Sequence, residues 1–275
     1  MNLSTDCVRI GTRPTIVALH ASSSSGGQWA PLAAYGAPHV DTVAVDLHGH
    51  GLGPALPAPD HNVLAEDVAR VAKISERIGG GVHLVGHSYG GATALRVALA
   101  IPGRIRSVTV YEPVLFGVLR DCYGRGRPAA EVLEIARAVR RHVRAGMRET
   151  AARLFIDYWS GAGTWDTLPE VRQMGHAARM PVIAAQFESL IRDPVGLEQF
   201  KTLDVPVLCI VGRQTRAPVV RIAELVAGAL PHASVERVAG LGHMGPVTHP
   251  LAFAERVVEF VRRVAALEPL ARKAA

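Results

Sequence analysis

Leu84-Val85-Gly86-His87-Ser88-Tyr89-Gly90-Gly91 is the stretch whose reading decides the fold. Gly86 and Gly90 flank Ser88 at i−2 and i+2, the G-x-S-x-G spacing of a sharp strand-to-helix turn that lifts a hydroxyl off the backbone and into a cleft. A side chain at either glycine would crowd that turn. Upstream, Val82, Leu84 and Val85 make a short apolar run suited to a buried strand. Downstream, Ala92 to Ala100 is rich in helix formers until Pro102 ends it. A glycine-rich loop without chemistry is the competing reading, but it explains neither the strand before the serine nor the helix after it.

The same alternation continues on both sides. Pro14 to His20 is a β-rich run that enters a loop of small residues, Ala21 to Gly27, ahead of a helix near Trp29 to Tyr35. Val40 to Asp46 is the next strand and leads into the glycine-marked loop Leu47 to Gly53. Asn62 caps a helix whose Leu64, Val68, Val71 and Ile78 share one face and which stops at Gly79 to Gly81. Further strands are expected at Ser107 to Tyr111, Val205 to Gly212 and Val235 to Val238. Pro250 opens a final helix with Phe253, Val257, Phe260 and Val264 turned inward. Short apolar strands alternating with helices predict an α/β fold, a mainly parallel, doubly wound sheet with its active groups at the carboxyl ends of the strands. Between Leu115 and Leu203 only helical patterns appear, so that segment reads as a helical insertion above the sheet.

Composition bounds the function. The chain has 275 residues, enough for a well-buried core, and its 49% hydrophobic share fits a globular protein. No apolar stretch approaches the roughly 20 residues of a membrane span, and Met1 to Ile10 lacks the order of a secretory signal, so a cytoplasmic protein with no membrane partner is expected. Cys7, Cys122 and Cys209 are scattered and give neither a disulfide framework nor metal spacing. Most of the net charge of +6 sits in residues 120–153, which hold nine arginines against four acidic residues. Arg137, Arg141, Arg144 and Arg148 recur at helical spacing opposite Val132, Ile135, Val139 and Val143, which predicts a solvated face; an anion-attracting lid is the alternative. No nucleic-acid motif accompanies them.

In their order along the chain, Leu19-His20-Ala21-Ser22, Asp46-Leu47-His48-Gly49-His50-Gly51, Gly86-His87-Ser88-Tyr89-Gly90 and Gly240-Leu241-Gly242-His243 resemble the α/β-hydrolase family. The resemblance spans nearly the whole chain. It implies a sheet of about six to eight strands and a helical cap after the family's sixth strand. That gives a core of residues 1–114 and 204–275 and a cap of 115–203. Only thirteen residues precede Pro14, so the family's two-strand start is expected to be shortened to one.

The resemblance also implies a serine hydrolase without cofactor or metal, acting on a small acyl substrate through a Ser, acid, His relay. Ser88 would be the nucleophile and His243, in its glycine-flexed loop, the base. The family usually carries the acid after its seventh strand as G-x-x-D, but here Gly212-Arg213-Gln214-Thr215 puts a threonine there. Some members carry it after the sixth strand instead, where this chain has Tyr111-Glu112-Pro113. Glu112 is therefore the expected acid, with a salt bridge to a cap arginine as the competing role and Asp46 expected to tether loop N–H groups instead. Backbone N–H groups of Tyr89 and Ser22, with Ser23 as the fallback, would hold the oxyanion. His87 would point away from the cleft, and His20, His48 and His50 would line or buttress it. Trp29, Phe116, Tyr158 and Trp159 are candidates for the apolar pocket. Thr215 prompts a second reading, a hydrolase-like small-molecule binding protein or receptor with little turnover.

Overall fold

The computed structural model describes residues 13–56, 62–123 and 126–274, and side chains to residue 267. Cys7 and the start of the chain lie outside these. Six strands form one sheet: β1 (Thr15–Leu19), β2 (Asp41–Val45), β3 (Val82–His87), β4 (Ile105–Tyr111), β5 (Val207–Gly212) and β6 (Ala233–Val238). Their order is β2-β1-β3-β4-β5-β6 and every pair is parallel. The segment ahead of β1, on which the expectation of a shortened start rests, lies outside the described residues. The chain runs from β1 outward to β2 and then crosses back over β1 to β3 on the other side, so the sheet changes winding direction between β1 and β3. A crevice opens at that point in sheets of this kind.

Strands β1, β3 and β5 are buried along their whole length, which is why they read as continuous apolar runs rather than alternating ones. Along β1 the side chains still sort by face. Ile16 and Ala18 join the core cluster of α1 (Ala30–Gly36) and α12 (Pro250–Ala274), where Phe253, Val257 and Val261 are buried. Val17 and Leu19 join the opposite cluster with α2 (Val63–Arg77) and α3 (Tyr89–Ala100). Asn62 caps α2 with its side-chain oxygen on the Ala65 N–H at 3.1 Å.

Between β4 and β5 run α4 (Phe116–Tyr123), α5 (Arg127–Arg144), α6 (Arg148–Ser160), α7 (Thr164–Thr167), α8 (Glu170–Arg192) and α9 (Leu197–Phe200). The chain then adds α10 (Ala217–Ala229) and α11 (Gly245–Thr248) before α12. Arg137, Arg141, Arg144 and Arg148 are exposed while Val132 and Val139 are buried, so this arginine row is a solvated face. Among the described residues no helix is long and apolar enough to cross a membrane.

Candidate active site

Ser88 stands between the end of β3 and the first turn of α3 with φ 55° and ψ −114°, a strained conformation for a residue with a side chain. The two glycines make it attainable. A Cβ on Gly86 would lie 2.3 Å from the Gly90 carbonyl oxygen, and one on Gly90 would lie 2.2 Å from that of Leu19. Hydrogen bonds hold the turn at both ends: Ser88 N–H donates to Tyr111 O at 2.9 Å, and Ser88 O accepts Ala92 N–H at 3.0 Å.

His243 Nε2 lies 3.0 Å from Ser88 Oγ, and its Nδ1 lies 2.7 Å from Glu112 Oε2. The histidine comes from the loop after β6, whose Gly242 carbonyl accepts the Tyr111 hydroxyl at 2.6 Å. Trp159 of α6 stacks on the imidazole with 4.1 Å between centroids. Glu112 follows β4 at φ 45°, fully buried, its own N–H donating to Ile210 O at 3.0 Å. Three donors meet its carboxylate: Gly212 N–H on Oε1 at 2.9 Å, and Thr215 Oγ1 at 2.7 Å with His243 Nδ1 on Oε2. These bonds satisfy the polar atoms of a fully buried side chain. Thr215 therefore holds Glu112, from the position where the family usually places the acid itself.

Of the two donors expected from the loop after β1, only Ser22 is free. Ser23 N–H donates to His50 Nε2 at 3.0 Å, so the fallback donor is already engaged. Among the described residues no acceptor takes the N–H of Ser22 or Tyr89. Tyr89 is the first residue of α3, where helix N–H groups have no intrahelical partner. Two side-chain bonds tie the loop to α8: Ser22 Oγ donates to Gln186 Oε1 at 2.6 Å, and Ser23 Oγ meets His176 Nδ1 at 2.6 Å.

His20, His48, His50 and His87 are buried around the site. His87 turns away from the cavity; its Nε2–H donates to His243 O at 2.8 Å while its Nδ1 accepts from Gln28 Nε2 at 3.1 Å. Burial, and then the neighbouring His243, push its pKa well down, so it stays neutral. His48 and the Tyr89 hydroxyl share the buried Asp67 carboxylate, each at 2.8 Å. Asp46 accepts Gly26 N–H at 2.6 Å and Leu52 N–H at 2.9 Å, the tethering role expected of it. Among the described residues no His, Cys, Asp and Glu cluster is arranged to hold a metal.

His20 donates Nδ1–H to Ala21 O at 2.8 Å and accepts Leu47 N–H on Nε2 at 3.1 Å, an arrangement only the neutral ring permits. Burial lowers its pKa to about 4, and burial does the same to His83. An unfolded histidine takes up its proton near pH 6.5, whereas these take theirs only near 4. Stability is therefore full above that window and falls as pH drops through it, by on the order of 3 kcal/mol for His20 alone. Urea midpoints should fall steadily from neutral to mildly acidic pH; a midpoint flat across this range contradicts the assignment.

A cavity of about 640 Å³ opens over Ser88 and His243. A narrower apolar crevice meets it at Ser88, walled by Phe116, Phe155, Trp159, Ile183 and Phe187. Of the four aromatic candidates, Phe116 and Trp159 are in these walls, and Trp29 and Tyr158 are not. Trp29 is buried against Phe253 in the core beneath α12, 5.7 Å between centroids. Tyr158 turns to the other side of α6, donating its hydroxyl to Glu131 at 2.9 Å with Arg216 over its ring. The sequence reading passed over Gln186, His176, Arg172 and Arg179, all on α8. This helix is buried on several sides and interrupted by Pro181, so it shows no single apolar stripe to orient it.

Sheet order, elbow and cavity together define a hydrolase of the α/β class, and the comparison with known proteins agrees. The model of the Alpha/beta hydrolase family matches residues 16–256, and the chain belongs to that family. It is 28% identical to the pimeloyl-[acyl-carrier protein] methyl ester esterase of Xanthomonas campestris pv. campestris (strain B100), over 92% of this chain and 96% of that one. Its fold is similar to that of the enol-lactonase from Burkholderia xenovorans LB400, with a TM-score of 0.71, 20% identity and 94% of each chain covered. The 2-hydroxy-6-oxo-6-phenylhexa-2,4-dienoate hydrolase from Rhodococcus sp. strain RHA1 aligns with a TM-score of 0.70 at 21% identity, over 91% of each chain. At such identities the structural likeness speaks for the fold.

Proposed function

We propose that the chain is a serine hydrolase that cleaves a carboxylic ester or related acyl bond of a small molecule through an acyl-enzyme. One observation carries this reading: an unbroken hydrogen-bond chain from Ser88 Oγ through both His243 nitrogens to a buried Glu112 carboxylate. With Nδ1–H given to Glu112, Nε2 is the acceptor that Ser88 needs. Ser88 Oγ attacks the carbonyl carbon as its proton passes to Nε2. The carbonyl oxygen, now an anion, receives the Tyr89 and Ser22 N–H groups. His243 returns the proton to the leaving group, then takes one from the water that hydrolyses the acyl-enzyme. Residues 1–114 and 204–275 form the core in this scheme and 115–203 the cap, which supplies Trp159 over His243. Cys122 and Cys209 stand as free thiols, which fits a cytoplasmic setting. The similarity to an esterase named for an acyl-carrier-protein-linked methyl ester supports acyl esters as the substrate class.

The competing reading, a binding protein with little turnover, rests on the threonine at the family's usual acid position. The Thr215 hydroxyl donated to Glu112 supports the enzyme reading instead, with the acid supplied from after β4. A fluorophosphonate probe tests the proposal: the wild type should be labelled and Ser88→Ala should not. An unlabelled wild type, or equal labelling of the variant, would sink it.

A further inference from the structure

The cavity over Ser88 is one-sided in charge. Arg172, His176 and Arg179 of α8 line it, and no Asp or Glu does. Spaced at i, i+4 and i+7, they share one helix face. Some other cap arginines are matched with carboxylates, Arg140 and Arg192 with Glu188 and Arg153 with Asp166, and the row Arg137, Arg141, Arg144 and Arg148 stands in solvent away from the cavity. Among the described residues neither Arg172 nor Arg179 has such a partner, and the bond that Arg179 makes is to its own helix, Nη1 to Gly175 O at 2.9 Å. Arg172 is exposed and Arg179 half-buried, so two solvated cations without a carboxylate partner line the cavity and set a positive potential that attracts an anion into it.

The face is also close to the chemistry. His176 Nδ1 meets Ser23 Oγ at 2.6 Å, one residue from the Ser22 N–H. Neighbouring positions on a helix face have Cβ atoms about 5–6 Å apart, so Arg172 and Arg179 each stand one such step from His176, the residue that touches the loop. The proximity is felt by His176, whose pKa is lowered by burial and then by Arg179 and Arg172.

From this face we infer an anion subsite: the substrate carries a carboxylate or phosphate on the same small molecule as the scissile acyl bond, and Arg172 with Arg179 holds it. The inference rests on the serine-hydrolase reading and narrows its substrate class. Arginine suits the task because its planar, permanently charged fork pairs with either oxyanion through two parallel hydrogen bonds.

Matched esters test it. Monomethyl glutarate and monomethyl adipate are compared with their dimethyl esters, and the phosphonate analogue of monomethyl glutarate separates phosphate from carboxylate. In the wild type kcat/KM should favour the anionic member by at least about tenfold, the worth of a charged hydrogen bond. The Arg172→Gln, Arg179→Gln double variant should bring that ratio close to one. Arg137→Gln with Arg141→Gln, on the exposed face of α5, should leave the ratio at its wild-type value. A wild-type ratio near or below one, or a ratio kept in the Arg172, Arg179 variant, overturns the subsite. Calorimetry with glutarate on Ser88→Ala gives a readout independent of turnover: saturable binding lost with the two arginines is expected, and absent binding overturns it. Failure of fluorophosphonate labelling would strike the hydrolase reading, whereas a labelled enzyme with a flat ratio strikes the subsite alone.

Discussion

Glu112→Gln should lower kcat/KM on an acyl ester by about 10³ to 10⁴ while leaving the fold intact, because the amide cannot satisfy the donors that meet this side chain. Gly212 N–H lies on Oε1, and Thr215 Oγ1 and His243 Nδ1 lie on Oε2. The glutamine oxygen will go to the fixed backbone donor at Gly212, since a hydroxyl can rotate to accept and a backbone N–H cannot. The NH₂ group then faces His243 Nδ1 and forces the imidazole to accept there. That tautomer puts N–H at Nε2, toward Ser88, where the reaction needs a lone pair. Adding Thr215→Asp to this variant should restore part of the loss, because residue 215 already reaches the Oε2 side of the site. In the wild-type background the same change should lower activity, since two adjacent carboxylates share a proton and weaken the hold on the imidazole N–H. Initial rates on one ester for the single and double variants decide the matter; wild-type rates in Glu112→Gln would remove the residue from the relay.

What could be read from the chain, and what could not, follows from how locally each feature is encoded. Ser88 and the loop of His243 are marked by glycines, whose need arises from backbone contacts within a few residues, as the Gly86 to Gly90 approach shows. Glu112 could be picked out because an apolar strand before it and Pro113 after it place a charge at a sheet edge. Its φ of 45° could not, and neither could the φ of 63° at Ser23, since nothing in these residue types announces left-handed backbone. The pocket was half legible for a geometric reason. Tyr158 and Trp159 are neighbours on one helix and so point about 100° apart, which lets only one of them face the cavity. The arginine row of α5 drew attention by its number, yet the α8 trio at 172, 176 and 179 carries the same helical spacing and lines the cavity. Which face of α8 meets the cavity is decided by tertiary packing, and its sequence does not record it.

Gly90→Ala is the stringent test of the elbow itself. The new Cβ would meet two backbone carbonyl oxygens, Leu19 at 2.2 Å and His20 at 2.6 Å. Neither can retreat: Leu19 is paired in register with Val45 on one side and Gly86 on the other, and the His20 ring is bonded on both nitrogens. The start of α3 must therefore lift off the sheet, carrying Tyr89 N–H and Ser88 with it, at a cost of about 3 kcal/mol or more. Gly91→Ala, one residue on, is the control. Its Cβ would lie 3.2 Å from Pro113 Cα, which a shift of a few tenths of an ångström relieves. Removing a glycine from α3 also stabilises the helix by about 0.5–1 kcal/mol, so Gly91→Ala should come out near neutral. Urea denaturation of the two variants, with fluorophosphonate labelling rate as the second readout, separates them. A Gly90→Ala protein as stable as Gly91→Ala and labelled as fast would show that the elbow does not need the close approach to β1 on which the position of Ser88 depends.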